Sequence, residues 1–212
     1  MGYIIFKDIY QSRKTIIMYL IVGLVFIILG RSTGNIGLLG VPSLIIAFSI
    51  IARNEMYEDK NKGYNLLKTL PIKPYKIVIS KYLTALVLAG IGALYSILIV
   101  AILEKGNIST ETYLVILVSA GIAILFASIL YNFVYKYGAV KAISYSRFVL
   151  IGIAFLPMIT KLVFQNIISK ELIINILNYI NNIDPWNFVF AFGVILVLLV
   201  LNSIRLFYKF NH

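Results

Sequence analysis

Long hydrophobic runs alternate with short polar connections along almost the whole chain. An uninterrupted apolar run of about 18 residues or more is typical of a helix that crosses a lipid bilayer. On this pattern we predict an all-α membrane protein, with one transmembrane domain over residues 1–212 and six transmembrane helices. The predicted spans are residues 15–30, 36–52, 77–103, 112–135, 148–168 and 185–204.

Two further segments are amphipathic instead of apolar. Residues 3–14 are too short and too charged to span, but Ile5 and Ile9 share one helical face, which predicts an N-terminal helix in the membrane interface. A disordered basic start is the alternative, and the first span is short unless the helix continues from this segment. Residues 169–184 carry a second apolar stripe opposed by asparagines, which predicts an external amphipathic helix between spans five and six.

Small residues recur at helical spacing in the third predicted span. Ala85, Ala89 and Ala93 stand four residues apart, a pattern that lets helix backbones approach closely in lipid. We interpret these alanines as a helix-packing seam, either within the chain or between the two subunits of a dimer.

Residues 53–81 form the only long polar passage, and their net charge is +4. Leu66, Leu67 and Leu70 lie on one side of a short predicted helix over residues 58–70. Pro71 then ends that helix, because the residue before a proline disfavours the α region. We expect the passage to lie in water, as a docking element, a stiff elbow or an ordinary solvated loop.

Composition excludes several kinds of chemistry. The chain is 61% hydrophobic and 13% charged, with a mean hydropathy of +0.95. It has no cysteine, its one histidine is the terminal His212, and it has no Gly-x-x-x-x-Gly-Lys-Ser/Thr phosphate loop. All eight acidic residues fall in predicted loops or at span ends. An intramembrane enzyme or a proton-driven pump is therefore poorly supported.

The positions of the basic residues predict the orientation. With the N-terminus in the cytoplasm, 15 of the 19 lysines and arginines lie on the cytoplasmic side and four outside. Positively charged loops stay in the cytoplasm, so we predict that both termini and residues 53–76 are cytoplasmic. The net charge of +11 then reflects this bias and attraction to anionic lipid, not nucleic-acid binding.

Residues 58–72, EDKNKGYNLLKTLPI, carry a resemblance to a known family. An acidic residue, a glycine five positions later, a leucine-rich helix and Leu-Pro-Ile resemble the membrane subunits of ABC-2 type exporters. The six-span layout resembles them over nearly the whole chain. It is most similar to the short permeases encoded beside separate ATPases in Firmicutes-type bacteria, including phenol-soluble modulin and lantibiotic exporters. The chain departs from the family in its brief first external turn and in having no large outer domain.

The resemblance implies a coupling helix that sits in a cleft of a separate ATPase subunit. The residues that it assigns to this coupling are Glu58, Asp59, Lys60, Lys62, Gly63, Tyr64, Asn65, Leu66, Leu67, Lys68, Leu70 and Pro71. It also implies that the chain is not an enzyme and holds no cofactor, since ATP and Mg²⁺ would be bound by the partner.

The expected setting is a bacterial cell membrane, with a second permease subunit in a homo- or heterodimer. Amphipathic peptides, as toxins or antimicrobial peptides, are the favoured cargo, with lipids or drugs as alternatives. A membrane scaffold or immunity-type protein that binds a toxin without transport is the competing hypothesis. An ATP-independent channel is a third, but the chain has no recognisable charged ring or filter.

Overall fold

Helices make up the regular structure of the described residues. The computed structural model describes residues 2–63, 72–146 and 185–210. The helices are α1 (Gly2–Thr33), a 3₁₀ helix (Ile36–Gly40), α2 (Val41–Lys60), α3 (Pro74–Leu103), α4 (Thr110–Tyr137) and α5 (Pro185–Phe210). Residues 139–146 are also helical. The predicted all-α class is confirmed for these residues.

Five described helices are long and apolar enough to cross a membrane, so the chain is a multi-pass membrane protein. The predicted fifth span, 148–168, and the predicted external helix, 169–184, lie outside the described residues. Six spans therefore stay a prediction.

The direction of α5 agrees with a further span before it. A Cβ on Gly121 of α4 would lie 3.4 Å from the Phe192 ring, and the rings of Tyr135 and Phe207 are centred 5.2 Å apart. Both helices therefore run in the same direction, which places residue 146 and Pro185 at opposite ends of the bundle. A transmembrane span between residue 146 and Pro185 would have to connect opposite ends of the bundle.

The N-terminal segment is not a separate interfacial helix, because α1 continues without a break from Gly2 to Thr33. Its buried stripe contains Ile4, Asp8 and Ser12, and not the predicted apolar pair at positions 5 and 9. The Ser12 hydroxyl donates to Asn54 Oδ1 (2.6 Å), and Asn54 Nδ2 donates to the Asp8 carbonyl (3.2 Å). These polar contacts with α2 hold the first turns of α1 against the bundle.

Short polar and glycine positions set the helix ends. The Asn35 side chain accepts the Gly37 N–H at the start of the 3₁₀ helix (3.1 Å). The Ser109 hydroxyl accepts a hydrogen bond from the Thr112 N–H at the start of α4 (3.3 Å). This N–H has no carbonyl partner within the helix. Gly138, with φ of 84°, ends α4.

The alanine seam lies inside the chain. Ala85, Ala89 and Ala93 are all buried, which leaves little of their side chains exposed to a second subunit. Beside them, a Cβ on Gly92 would lie 2.5 Å from Ser43 Cα. Helices α2 and α3 therefore cross in backbone contact, as small residues permit in lipid.

Candidate functional site: a buried charge cluster

Lys81 is buried where α1 begins, α2 ends and α3 begins, which we call the basic end of the bundle. Its side chain is fully buried, with a residue exposure of 0%. Its Nζ lies 3.2 Å from Asp8 Oδ2, 3.1 Å from Glu55 Oε1 and 3.5 Å from Glu58 Oε1. One ammonium thus contacts carboxylates from two other helices.

Lys7 adds a second cation at the edge of this group. Its Nζ forms an ion pair with Glu58 Oε1 and lies 3.5 Å from Asp8 Oδ1. We call Lys7, Asp8, Glu55, Glu58 and Lys81 the charge cluster. With every member ionised, its three carboxylates and two ammonium groups leave a net charge of −1.

Helical spacing brings these groups together. Glu55 and Glu58 stand three residues apart and therefore share one face of α2, while Asp8 lies on the inner stripe of α1. An unpaired charge inside a membrane protein is costly, and removing one partner from a buried ion pair costs about 3–5 kcal/mol. The cluster therefore ties α1, α2 and α3 together at the basic end.

The expectation that residues 53–81 lie in water is wrong for part of the passage. Asn54, Glu55, Glu58 and Lys81 are buried, because they face neighbouring helices. A sequence signal for Lys81 did exist: it stands four residues before Ala85 and thus extends the alanine stripe by one step. The pairing partners are on other helices, so no spacing along α3 could have identified them.

The first residues assigned to coupling belong to α2. That helix ends at Lys60, and Lys62 has a φ of 52°, so the predicted continuous helix over residues 58–70 is interrupted. Lys60 and Lys62 are exposed, and Gly63 is the last described residue of this passage before position 72. Tyr64, Asn65, Leu66, Leu67, Lys68, Leu70 and Pro71 lie outside the described residues.

Asp59 contacts a second connection at the basic end. Its Oδ2 accepts the N–H of Ala139 (3.2 Å), the first residue of the helical segment 139–146. A carboxylate is favourable near the first turn of a helix, where backbone N–H groups have no helical partner. Asp59 therefore fixes the end of α2 to the chain that follows α4.

The opposite end of the bundle has a polar cavity of about 490 Å³. Its lining includes Arg31 and Glu104, whose Nη1 and Oε1 form an ion pair of 2.6 Å. Asn107 and Ser109 also line it. This ion pair fastens the end of α1 to the turn between α3 and α4.

Together these features define a multi-pass membrane protein whose polar connection between α2 and α3 is anchored by buried ion pairs. Residues 3–211 match the family described as "ABC-2 family transporter protein". The chain therefore belongs to the ABC-2 transporter family, as its resemblance to that family predicted. Among curated proteins and among solved structures, none matches the chain significantly.

Proposed function

We propose that the chain is the permease subunit of an ATP-binding cassette exporter and that a separate subunit hydrolyses ATP. Residues 64–71 would contact that ATPase from the cytoplasm, and two permease subunits would form the path across the bacterial membrane. ATP and Mg²⁺ would bind to the partner. Membership of the ABC-2 transporter family supports this assignment.

The observation that carries the proposal is how closely the polar connection joins two transmembrane helices. Helix α2 ends at Lys60, Gly63 stands three residues later, and α3 begins at Pro74. Proline is pre-organised for a first helical position, so only Ile72 and Lys73 separate residues 64–71 from the start of α3. A force on residues 64–71 would reach both helices.

The flanks of the connection also favour a protein partner with an acidic surface. Lys60, Lys62, Lys73 and Lys76 are all exposed around it. Complementary charge accelerates association and excludes wrong partners. We therefore expect an acidic rim around the cleft of the ATPase.

Amphipathic peptides are the proposed cargo, on the basis of the resemblance to short peptide-exporter permeases. The probe would be a fluorescently labelled amphipathic helical peptide of leucine and lysine. In inverted membrane vesicles, export corresponds to uptake of the peptide that requires ATP. Uptake without ATP would contradict an ATP-driven exporter.

Co-purification of an ABC ATPase subunit with the chain tests the partner. We expect the double substitution Leu66→Asp and Leu67→Asp to reduce the recovered ATPase at least tenfold, since two charges would enter an apolar contact. The matched control, Lys105→Asp with Asn107→Asp, places two acids in the turn between α3 and α4 and should leave recovery unchanged.

Two results would contradict the proposal. One is that no ATPase co-purifies with the wild-type chain. The other is that the variant at positions 66 and 67 retains both the complex and ATP-dependent uptake. Toxin binding without transport would then favour the immunity-type alternative.

A further inference from the structure

The carboxylate of Glu58 occupies the space where a side chain at position 63 would lie. A Cβ on Gly63 would be 2.5 Å from Glu58 Oε2, 3.2 Å from its Cδ and 3.4 Å from its Cα. Glu58 is only 6% exposed. The acidic residue and the glycine five positions later are therefore in direct contact, and Gly63 immediately precedes residues 64–71.

The same carboxylate contacts two other helices through its second oxygen. Glu58 Oε1 forms an ion pair with Lys7 of α1 and lies 3.5 Å from Nζ of Lys81 on α3. A flexible glutamate could rotate away from a bulkier neighbour at little cost. Glu58 could do so only by giving up these ion pairs, so Gly63 cannot move toward α2 independently of the charge cluster.

Stability alone does not require charged residues at this position. Well-packed apolar residues of similar volume often stabilise a protein as much as a buried ion group does, or more. Ion pairs differ from apolar contacts in that one cation can exchange carboxylate partners. Besides Glu58, Lys81 has Asp8 and Glu55 within 3.2 Å, so the cluster has the parts for two pairing states.

We propose that Glu58 and Lys81 are positioning residues that transmit movement of Gly63 to α1 and α3. In the described state Glu58 joins Lys7 and Lys81. Displacement of Gly63 toward α2 by the partner would push the Glu58 carboxylate away from its present position, and Lys81 would then pair with Asp8 and Glu55 only. This difference in contacts is what a two-state movement needs. The inference rests on the proposed function, since it needs an ATPase to displace the connection.

The test measures the distance between α1 and α3 in the complete permease–ATPase complex, with and without ATP. The chain has no cysteine, so spin labels at Tyr10→Cys and Lys76→Cys, both exposed positions, would be the only ones on the permease. Double electron–electron resonance then reports the distance without any cargo. We expect ATP to change the distance distribution of the complex when the charge cluster is intact.

The informative variant is Glu58→Gln, which keeps the shape of the side chain and leaves Lys81 paired with Asp8 and Glu55. We expect it to assemble with the ATPase and hydrolyse ATP, but to show an ATP-dependent distance change at least fivefold smaller. Glu104→Gln is the matched control. It makes the same chemical change in an ion pair at the opposite end of the bundle, with Arg31, and should retain most of the distance change.

The inference fails if Glu58→Gln responds to ATP as the wild type does, or if Glu104→Gln loses the response equally. A purely structural role would lower the yield of the complex but leave its response to ATP intact. If Glu58→Gln does not assemble, Gly63→Ala provides the same test. Its added Cβ would overlap the Glu58 carboxylate, while every charge of the cluster is retained. Failure of the proposed function looks different, because the wild-type chain would then not bind an ATPase at all.

Discussion

Replacing Gly92 with alanine should separate two transmembrane helices. The new Cβ would lie 2.5 Å from Ser43 Cα, 2.9 Å from Ser43 N and 3.0 Å from the Pro42 carbonyl oxygen. All three are backbone atoms, so no side-chain rotation can relieve the overlap. Helices α2 and α3 must move apart by about 1 Å to reach the 3.5–4.0 Å of an ordinary contact.

The cost follows from this movement. Overpacking of a buried site typically costs about 1–3 kcal/mol. For a chain of about 150–250 residues, each 1 kcal/mol changes the melting temperature by about 2–4 °C. We therefore expect Gly92→Ala to lower the melting temperature by about 2–12 °C.

Gly90 provides a control on the same helix, because a Cβ there would meet nothing within 4 Å. Gly90→Ala should leave stability unchanged or raise it, since alanine favours a helix over glycine by about 0.5–1 kcal/mol. Both variants would be heated in one detergent, and the fraction that remains monodisperse would be followed by size-exclusion chromatography. Equal melting temperatures for the two variants would refute the backbone contact between α2 and α3.

Two further predictions concern other helix contacts. Gly40→Ala should cost about 1–3 kcal/mol, because its Cβ would overlap the Ser119 side chain; adding Ser119→Gly should recover part of the loss, and additive effects in the thermal assay would contradict this contact. Tyr82→Phe should cost about 0.6–1.7 kcal/mol, because it removes a 2.6 Å hydrogen bond to Ser203 on α5. A double-mutant cycle with Ser203→Ala measures that coupling, and a value of zero would show that the bond contributes nothing.

The existence of the five long described helices was predictable, and their ends were less so. The predicted span 77–103 corresponds to α3, Pro74–Leu103. The helix begins three residues earlier than predicted, because a proline is accommodated in the first helical turn. Residues 3–14 form the first turns of α1, which is the continuation that the short first predicted span left open. Asp8 belongs to the polar side predicted for this segment, but its carboxylate faces Lys81 of α3.

The candidate site was predictable only in outline. The acidic residue and glycine at positions 58 and 63 were recognised as a motif, but the contact between them depends on how the chain turns after Lys60. The positive φ of Lys62 returns Gly63 to the Glu58 carboxylate. No pattern of polar and apolar residues contains that turn.

The sequence alone determined that this chain crosses a membrane in helices, because the bilayer sets a minimum apolar length that composition either meets or does not. The concentration of basic residues beside residues 64–71 is likewise a property of the sequence. Only the tertiary structure decided that Lys81 is buried among Asp8, Glu55 and Glu58. The reason is physical: a charge next to water and a charge paired inside a bundle look alike in sequence, and only the partner helices distinguish them.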